Sequence, residues 1–167
     1  IVNPPRLYGP GPMNTSNSMT RMIKLYSLGK WRIIPGDGTC VGNYVLVDDV
    51  VRGHLLAALK GKPGNRYALG GENLTFTQFY RILAEVTGKK RRMVHFPLWL
   101  MKAVAGMMEG QAIITGIPPM ITAPWVKKYL NHWSLSSNKA IADLGYTCTP
   151  FREGARITLE WLKTTDG

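Results

Sequence analysis

The sequence has few cysteines, few acidic residues and no long apolar run. Its two cysteines, Cys40 and Cys148, show neither metal-ligand nor redox-motif spacing. We therefore expect reduced, inert thiols, a cytoplasmic protein and no metal site. No stretch approaches the ~18 to 20 apolar residues that a membrane-spanning helix needs. The nearest, Phe96 to Met108, is short and broken by Lys102, which favours a core or pocket-lining helix over one at a membrane surface.

Acidic residues number 10 against 21 basic ones, so the formal net charge is +11. Such an excess of basic residues is typical of proteins that bind nucleic acid, anionic membranes or phosphorylated ligands. The basic residues are scattered, however, and the one dense run is Lys89 to Arg92. That distribution favours a solvated surface, so neither nucleic acid nor a membrane is expected as a partner. The length of 167 residues, with 45% hydrophobic residues and no long linker, predicts a single unit, 1–167.

Short apolar runs alternate with helical patterns along the chain. Strands are predicted at the opening residues and at WRIIPGDG, NYVLV, RYALGG and VHF. Helices are predicted from Met13 to Leu28, after NYVLV, over NLTFTQFYRILAEVTGKK, from Trp99 to about Asn131 with breaks at Gly116 to Pro119 and at Pro124, over NKAIADL, and over PFREGARITLEWLK. Thr75 is the expected cap of the third helix, and Gly88 its end.

The helix after NYVLV carries a predicted buried face. Asp48 or Asp49 is expected to cap this helix, because a carboxylate accepts the free N–H groups of a first turn. The predicted face comprises Val50, Val51, His54, Leu55, Ala58 and Leu59. His54 is therefore expected to be a hydrogen-bonded core residue with no catalytic role, and Asp49 is expected to touch no ligand.

The chain lacks a credible dinucleotide loop. Such a loop needs Gly-x-Gly-x-x-Gly between a strand and a helix, so that the backbone can approach a pyrophosphate. GPGP has only two glycines, and GDGTCVG has another spacing and leads into a strand. Tyr26 and Lys30 match Tyr-x-x-x-Lys literally, a spacing that places a phenol and an ammonium on one helix face. Gly29 is expected to end the helix before Lys30, so this pair is not the catalytic one.

Five stretches together carry a family resemblance: NPPRLYGPG, GDG, YVLVDD, ALGGENLT and NKAIADLGY. Their order and spacing resemble the second half of an extended short-chain dehydrogenase/reductase, the NAD-dependent epimerase/dehydratase family, and especially its dihydroflavonol 4-reductase-like and hopanoid-associated sugar epimerase-like members. The resemblance implies an α/β fold: the C-terminal part of an NAD(P)-binding Rossmann fold, with a mainly helical substrate-binding lobe and the N-terminal dinucleotide-binding half absent. Residues 1–12 would then be a strand and turn of the Rossmann sheet.

The resemblance also implies what lies elsewhere. Enzymes of this kind carry the glycine-rich loop and the catalytic Tyr-x-x-x-Lys in their first half, so we expect these residues upstream and none in this chain, which alone should be inactive. The opening at Ile1, a strand without initiator Met or cap, looks like an entry in mid-domain. NAD or NADP is the expected cofactor of the full-length protein. Its expected partners are a small-molecule substrate, the missing Rossmann half and a second copy in a homodimer.

The resemblance places a substrate side in this chain. Residues matching Asn3 and Pro4 lie beside the nicotinamide and the substrate in the family, which makes these two the cofactor-binding candidates. The alternative is that the prolines merely end a strand. Asn43 and Tyr44 fall on a segment that lines the substrate pocket in relatives. The substrate-binding candidates are therefore Asn3, Arg6, Tyr8, Asn43 and Tyr44.

One position departs from the nucleotide-sugar enzymes of this family. These typically have an Arg that grips the diphosphate where this chain has Gly42, and a His where it has Leu46. Because a bidentate guanidinium is hard to replace in diphosphate recognition, the departure favours a substrate with an apolar part. The Met- and Trp-rich stretch from Trp99 to Trp125 suits such a pocket, although Met residues also fill ordinary cores.

The sequence therefore predicts the substrate-binding part of an NAD(P)-dependent oxidoreductase of dihydroflavonol-reductase-like type. The full-length enzyme would transfer a hydride between the nicotinamide and a carbonyl or alcohol carbon. Two alternatives stay open. A nucleotide-sugar epimerase or dehydratase of the same family would bind a nucleoside diphosphate tightly, and a non-enzymatic basic module would show salt-dependent binding to nucleic acid.

Overall fold

The computed structural model describes residues 1–12, 17–115 and 131–165. The strands are β1 (Val2–Asn3), β2 (Arg6–Tyr8), β3 (Ile33–Pro35), β4 (Val41–Leu46), β5 (Tyr67–Ala68), β6 (Glu72–Thr75) and β7 (Val94–Phe96). The helices are α1 (Ser18–Ser27), α2 (Val47–Lys60), α3 (Phe76–Thr87), α4 (Leu98–Thr115), α5 (Asn138–Leu144) and α6 (Phe151–Thr165). The α/β class predicted from the sequence is confirmed. None of these helices combines the length and the apolar character needed to cross a membrane.

The strands form three small sheets. β1 pairs with β5 and β3 pairs with β7, both in parallel. The central sheet has the order β2–β4–β6, with β2 parallel and β6 antiparallel to β4. Pro4 and Pro5 separate β1 from β2, and because proline has no backbone N–H, the strand is interrupted there. The chain thus passes from one sheet to another at the two prolines.

β4 is buried on both faces and divides two apolar clusters. Successive side chains of a strand point to opposite faces, so Tyr44 and Leu46 enter one cluster while Val45 enters the other. In the first cluster, Phe79 lies 4.8 Å from Tyr44 and 4.7 Å from Phe151 between ring centroids. Aromatic pairs of this kind contribute about 0.5–1.5 kcal/mol beyond their buried area. β4 therefore holds the two halves of the core together.

Helix ends follow the sequence signals in several places. The Oγ1 of Thr75 accepts a hydrogen bond from the backbone N–H of Gln78, whose side chain accepts one from the N–H of Thr75, which is a capping box. Gly88 ends α3 in the left-handed conformation, as predicted. α1 ends at Ser27, so Lys30 lies outside the helix. The prediction that Tyr26 and Lys30 do not form a helical pair is confirmed.

α2 departs from the prediction. Its N-cap is Leu46, so neither Asp48 nor Asp49 caps it, and its buried residues are Asp49, Val50 and Gly53. Most of the predicted buried face is exposed, with exposed fractions of 54% for Val51, 61% for Leu55 and 82% for Leu59. His54 is exposed too, so its assignment to the core is wrong, although a ring nitrogen does contact the carbonyl of Val50 at 2.8 Å.

A further difference concerns strand β6. No strand was predicted directly before the cap Thr75, but Glu72–Thr75 pair with β4 before α3 begins. α4 starts at Leu98 and runs to Thr115. The predicted breaks at Gly116 to Pro119 and at Pro124 lie outside the described residues, as does the Trp-rich end of that stretch.

Candidate functional site

A pocket of about 370 Å³ lies where the chain passes from β1 to β2. Its lining residues are Asn3, Pro4, Pro5, Arg6, Asn43, Trp133, Ser134 and Leu135. Four of the six residues predicted from the sequence therefore come together in one place. Pro5 and the segment 133–135 are additions that the sequence analysis did not find.

The segment 133–135 reaches the pocket by docking on the central sheet. The N–H of Trp133 donates to the carbonyl of Val41 at 2.9 Å, and Trp133 forms a parallel bridge with Gly42. The side-chain amide of Asn73 continues this pairing, because it accepts from the N–H of Leu135 and donates to its carbonyl, both at 3.0 Å. The segment is thus bound to β4 and β6 mainly through backbone groups.

Asn43 supports the pocket wall with a side chain whose polar groups are all engaged. Its Nδ2 donates to the carbonyl of Gly71 at 3.0 Å and to Oδ1 of Asn73 at 2.8 Å. Its Oδ1 accepts from the N–H of Gly71 at 2.8 Å. Because Asn43 is buried and these bonds are already made, its amide fixes the backbone at Gly71 in place and leaves little for a ligand.

Asn3 is in the opposite situation. It ends β1, where its backbone carbonyl accepts from the N–H of Leu69 at 3.2 Å. Its side chain is exposed and has no hydrogen-bond partner within residues 1–12, 17–115 and 131–165. Pro4 is exposed beside it. An amide that can both donate and accept is therefore presented at the mouth of the pocket.

Arg6 and Tyr44 are neighbours in register on β2 and β4. Nη1 of Arg6 donates to the hydroxyl of Tyr44 at 3.3 Å, and the guanidinium lies 5.7 Å from the ring centroids of both Tyr44 and Phe76. Burial raises the pKa of Tyr44 to about 12, while the charge of Arg6 acts in the opposite direction. Tyr44 is fully buried and is absent from the pocket lining, and its hydroxyl contacts the lining residue Arg6.

Tyr8 lies in the core, away from the pocket. Its ring meets that of Phe151 edge-on, with the centroids 5.1 Å apart. Its hydroxyl is buried without a hydrogen-bond partner among the described residues, and burial raises its pKa. The structure therefore does not bring Tyr8 to the four candidates that line the pocket.

Two further features of the described residues bear on metal and anion binding. Within the described ranges, no three His, Cys, Asp or Glu side chains approach closely enough to hold a metal ion. A groove of about 600 Å³ between α1, α3 and α6 is lined by several basic residues: Lys24, Lys89, Arg156 and Lys163. It contains none of the predicted site residues, and Glu160 lies among its cations.

Comparison with known proteins shows similarity to one enzyme family. Residues 1–70 match the model of the NAD dependent epimerase/dehydratase family. A Synechocystis protein named as a dihydroflavonol 4-reductase is 28% identical over 98% of this chain and 48% of that protein. Short-chain dehydrogenase/reductase family 42E member 1 of Bos taurus is 29% identical over 97% of this chain and 43% of that protein. The chain thus spans about half the length of the curated relatives that it matches.

Solved structures agree in fold. The crystal structure of gox2253 superposes with a TM-score of 0.74 at 30% identity, covering 98% of this chain and 48% of gox2253. A UDP-glucose 4-epimerase of Thermotoga maritima, solved with UDP-glucose, superposes with a TM-score of 0.72 at 26% identity, covering 99% of this chain and 46% of that protein. A UDP-glucuronic acid 4-epimerase of Bacillus cereus in complex with NAD has a TM-score of 0.65 at 21% identity, covering 98% of this chain and 43% of that protein, which is a likeness of fold alone. The predicted Rossmann-type fold and family resemblance are confirmed.

Proposed function

We propose that this chain, whose resemblance to the extended short-chain dehydrogenases/reductases of the NAD dependent epimerase/dehydratase family extends over nearly its whole length, forms the C-terminal, substrate-binding part of such an oxidoreductase. The whole protein uses NAD or NADP and acts on a carbonyl or alcohol group. The finer assignment that we favour is a reductase of dihydroflavonol-reductase-like type. Its acid/base pair lies outside this chain.

The pocket between Asn3 and Leu135 is the observation on which this proposal depends. Its volume of about 370 Å³ is in the range of small-molecule sites, which are largely apolar with a few convergent polar groups. Pro4, Pro5, Trp133 and Leu135 supply apolar walls, while Asn3 and Arg6 supply polar groups. This composition favours a small substrate with an apolar part.

Asn3 and Pro4 are the residues that we propose to lie beside the cofactor. Asn3 has an exposed amide without a partner among the described residues, so it can bind a polar group of the nicotinamide or of the substrate. Pro4 fixes the backbone φ angle next to it. The cofactor supplies the hydride when bound, and the chain described here orients the substrate toward it.

The exposed face of α2 supports a unit that packs against a further domain. Val51, Leu55 and Leu59 follow one another at helical spacing, and all are more than half exposed. Ile1, at the start of β1, is 71% exposed as well. We propose that 1–167 is one unit, and that residues 1–12 extend the sheet of the dinucleotide-binding half and pack against it.

The test uses the complete reading frame that encodes this chain. Our proposal requires a strand-linked glycine fingerprint and a Tyr-x-x-x-Lys helix in the full-length protein, with NAD(P)-dependent turnover of a ketone or alcohol that has an apolar part. N3A should raise KM for that substrate, whereas N138A, an exposed Asn on α5, should leave it unchanged. A complete frame without the fingerprint would contradict the proposal and favour the non-enzymatic binding module.

A second candidate is a nucleotide-sugar epimerase or dehydratase. The likeness to the Thermotoga maritima enzyme, with a TM-score of 0.72, favours it. The two candidates predict different ligands for the full-length protein. Turnover of a UDP-sugar, with tight binding of UDP, would replace the reductase assignment by this one.

A further inference from the structure

Gly42 leaves space that the guanidinium of Arg6 occupies. A Cβ built on Gly42 would lie 2.5 Å from Nη1 of Arg6 and 2.9 Å from the hydroxyl of Tyr44. Real Cβ atoms essentially never approach another atom so closely, so any side chain at position 42 would displace the guanidinium. Gly42 lies two residues before Tyr44, the register partner of Arg6, and therefore on the same face of β4 as that tyrosine.

This guanidinium has few partners. Its one hydrogen bond among the described residues is to the hydroxyl of Tyr44. It takes part in none of the ion pairs found there, which are Arg52–Asp49, Lys139–Asp143 and Arg152–Glu85. A guanidinium has five N–H donors in a planar fork, so most of these donors are unused by the described part of the chain. Among residues 1–12, 17–115 and 131–165, Arg6 is thus a half-buried cation without an acidic partner.

A partly desolvated charge without a counterion is unfavourable, and an anionic ligand would offset that cost. Arg6 is a lining residue of the pocket between Asn3 and Leu135. The rings of Tyr44 and Phe76 flank its guanidinium, which limits the positions that it can adopt. A fork held in this way matches the geometry of a carboxylate or a phosphate, to which it can bind through two parallel hydrogen bonds.

We propose that Arg6, held in the space left by Gly42, binds an oxyanion of the substrate, so that the substrate of this pocket carries a phosphate or carboxylate group next to its apolar part. The inference rests on the proposed function of the pocket as the substrate site. It applies to either candidate reaction, because it concerns recognition and not chemistry. Arg6 is then a residue that determines specificity.

The first experiment titrates the ¹⁵N-labelled full-length protein with sodium phosphate and, in a second arm, with sodium acetate. Sodium chloride at equal ionic strength is the reference for both. We expect saturable shifts of the Gly42 and Tyr44 amide signals with at least one of the two anions, and the stronger arm identifies the group. If phosphate and acetate shift these signals no more than chloride does, the proposal is overturned.

Variants separate this site from general attraction to a chain of net charge +11. R6Q should weaken binding at least about tenfold, the usual cost of losing hydrogen bonds to a charged group. G42A should weaken it similarly without any change of charge, because the new Cβ displaces the guanidinium. R81Q removes an exposed arginine of α3 and is the matched control. Equal losses in R6Q and R81Q would overturn the proposal.

R6K provides an independent measurement should G42A unfold. It keeps the charge but loses the planar fork of donors, so it should bind the oxyanion several-fold more weakly than the unmodified protein.

In the full-length enzyme, R6Q should raise KM for an anionic substrate and leave KM for a neutral analogue unchanged. Turnover without that difference would refute the role of Arg6 and leave the proposed function standing. Oxyanion binding without NAD(P)-dependent turnover would support the role of Arg6 and contradict the proposed function.

Discussion

Tyr8 and Tyr146 are buried phenols that differ in their hydrogen bonding. The hydroxyl of Tyr146 donates to the carbonyl of Gly70 at 3.1 Å, while that of Tyr8 has no partner among the described residues. Y146F should therefore lower the free energy of unfolding by about 1 kcal/mol, and Y8F should leave it unchanged or raise it. Urea denaturation followed by circular dichroism measures both. A loss in Y8F as large as in Y146F would show that the Tyr8 hydroxyl has a partner.

Asp49 and Asp48 are adjacent carboxylates with different surroundings. The carboxylate of Asp49 is fully buried and accepts from the N–H of Thr149 at 2.7 Å and its Oγ1 at 2.9 Å, and it pairs with Arg52. Asp48 is exposed one residue before it. D49N should lower the free energy of unfolding by about 2–4 kcal/mol. D48N, the matched control, should change it by less than about 0.5 kcal/mol. Equal losses of stability in D49N and D48N, measured by urea denaturation, would contradict the role of Asp49 in holding α2 to Thr149.

At the scale of the element, what the sequence could predict depended on whether the signal was local. α3 was predicted because Thr75, its apolar period and Gly88 lie within or next to the helix. The buried face of α2 was not predicted correctly, because this helix is apolar on more than one side and its hydrophobic pattern does not indicate which side is covered. β6 was missed because four residues directly before a capped helix carry no period of their own.

The exposed apolar residues of α2 predict self-association of the isolated chain. Leu55 and Leu59 lie one turn apart and are 61% and 82% exposed, so water-exposed apolar area can be removed by contact between two copies. L55Q/L59Q should shift the chain toward monomer in sedimentation velocity. I141Q, which changes a single exposed apolar residue of α5, is the control and should have little effect. Unchanged association in L55Q/L59Q would place the contact elsewhere.

At the scale of the whole molecule, buried tyrosines predict a loss of stability in alkali. Burial raises the pKa of Tyr44 from 10.0 to about 12, and it raises the pKa of Tyr8 and Tyr146 as well. The folded state therefore keeps protons that the unfolded chain releases above pH 10. Stability should be intact below pH 10 and should fall as the pH rises toward 12. Urea denaturation at a series of pH values measures this slope, which Y44F should make shallower.

The candidate site shows the limit of sequence reasoning at the same scale. Asn3, Pro4 and Arg6 could be predicted because they lie within NPPRLYGPG, and Asn43 because it directly precedes YVLVDD, two stretches that carry the family resemblance. Trp133 and Leu135 could not, since nothing near them in sequence indicates that they dock on β4 and β6. The burial of Tyr8 was equally invisible, because it depends on Phe151 at the far end of the chain.

The docking of segment 131–135 also has a consequence for the order of folding. Its contacts with Cys40 and Val41 join residues 91 positions apart, whereas β2, β4 and β6 pair within the first 75 residues. Closing a longer loop costs more entropy, and this cost must be met before distant contacts repay it. The central sheet can therefore form first, and segment 131–135, which forms one wall of the pocket, then docks on the folded strands β4 and β6. Amide protons of that wall should accordingly exchange with solvent sooner than those of β4.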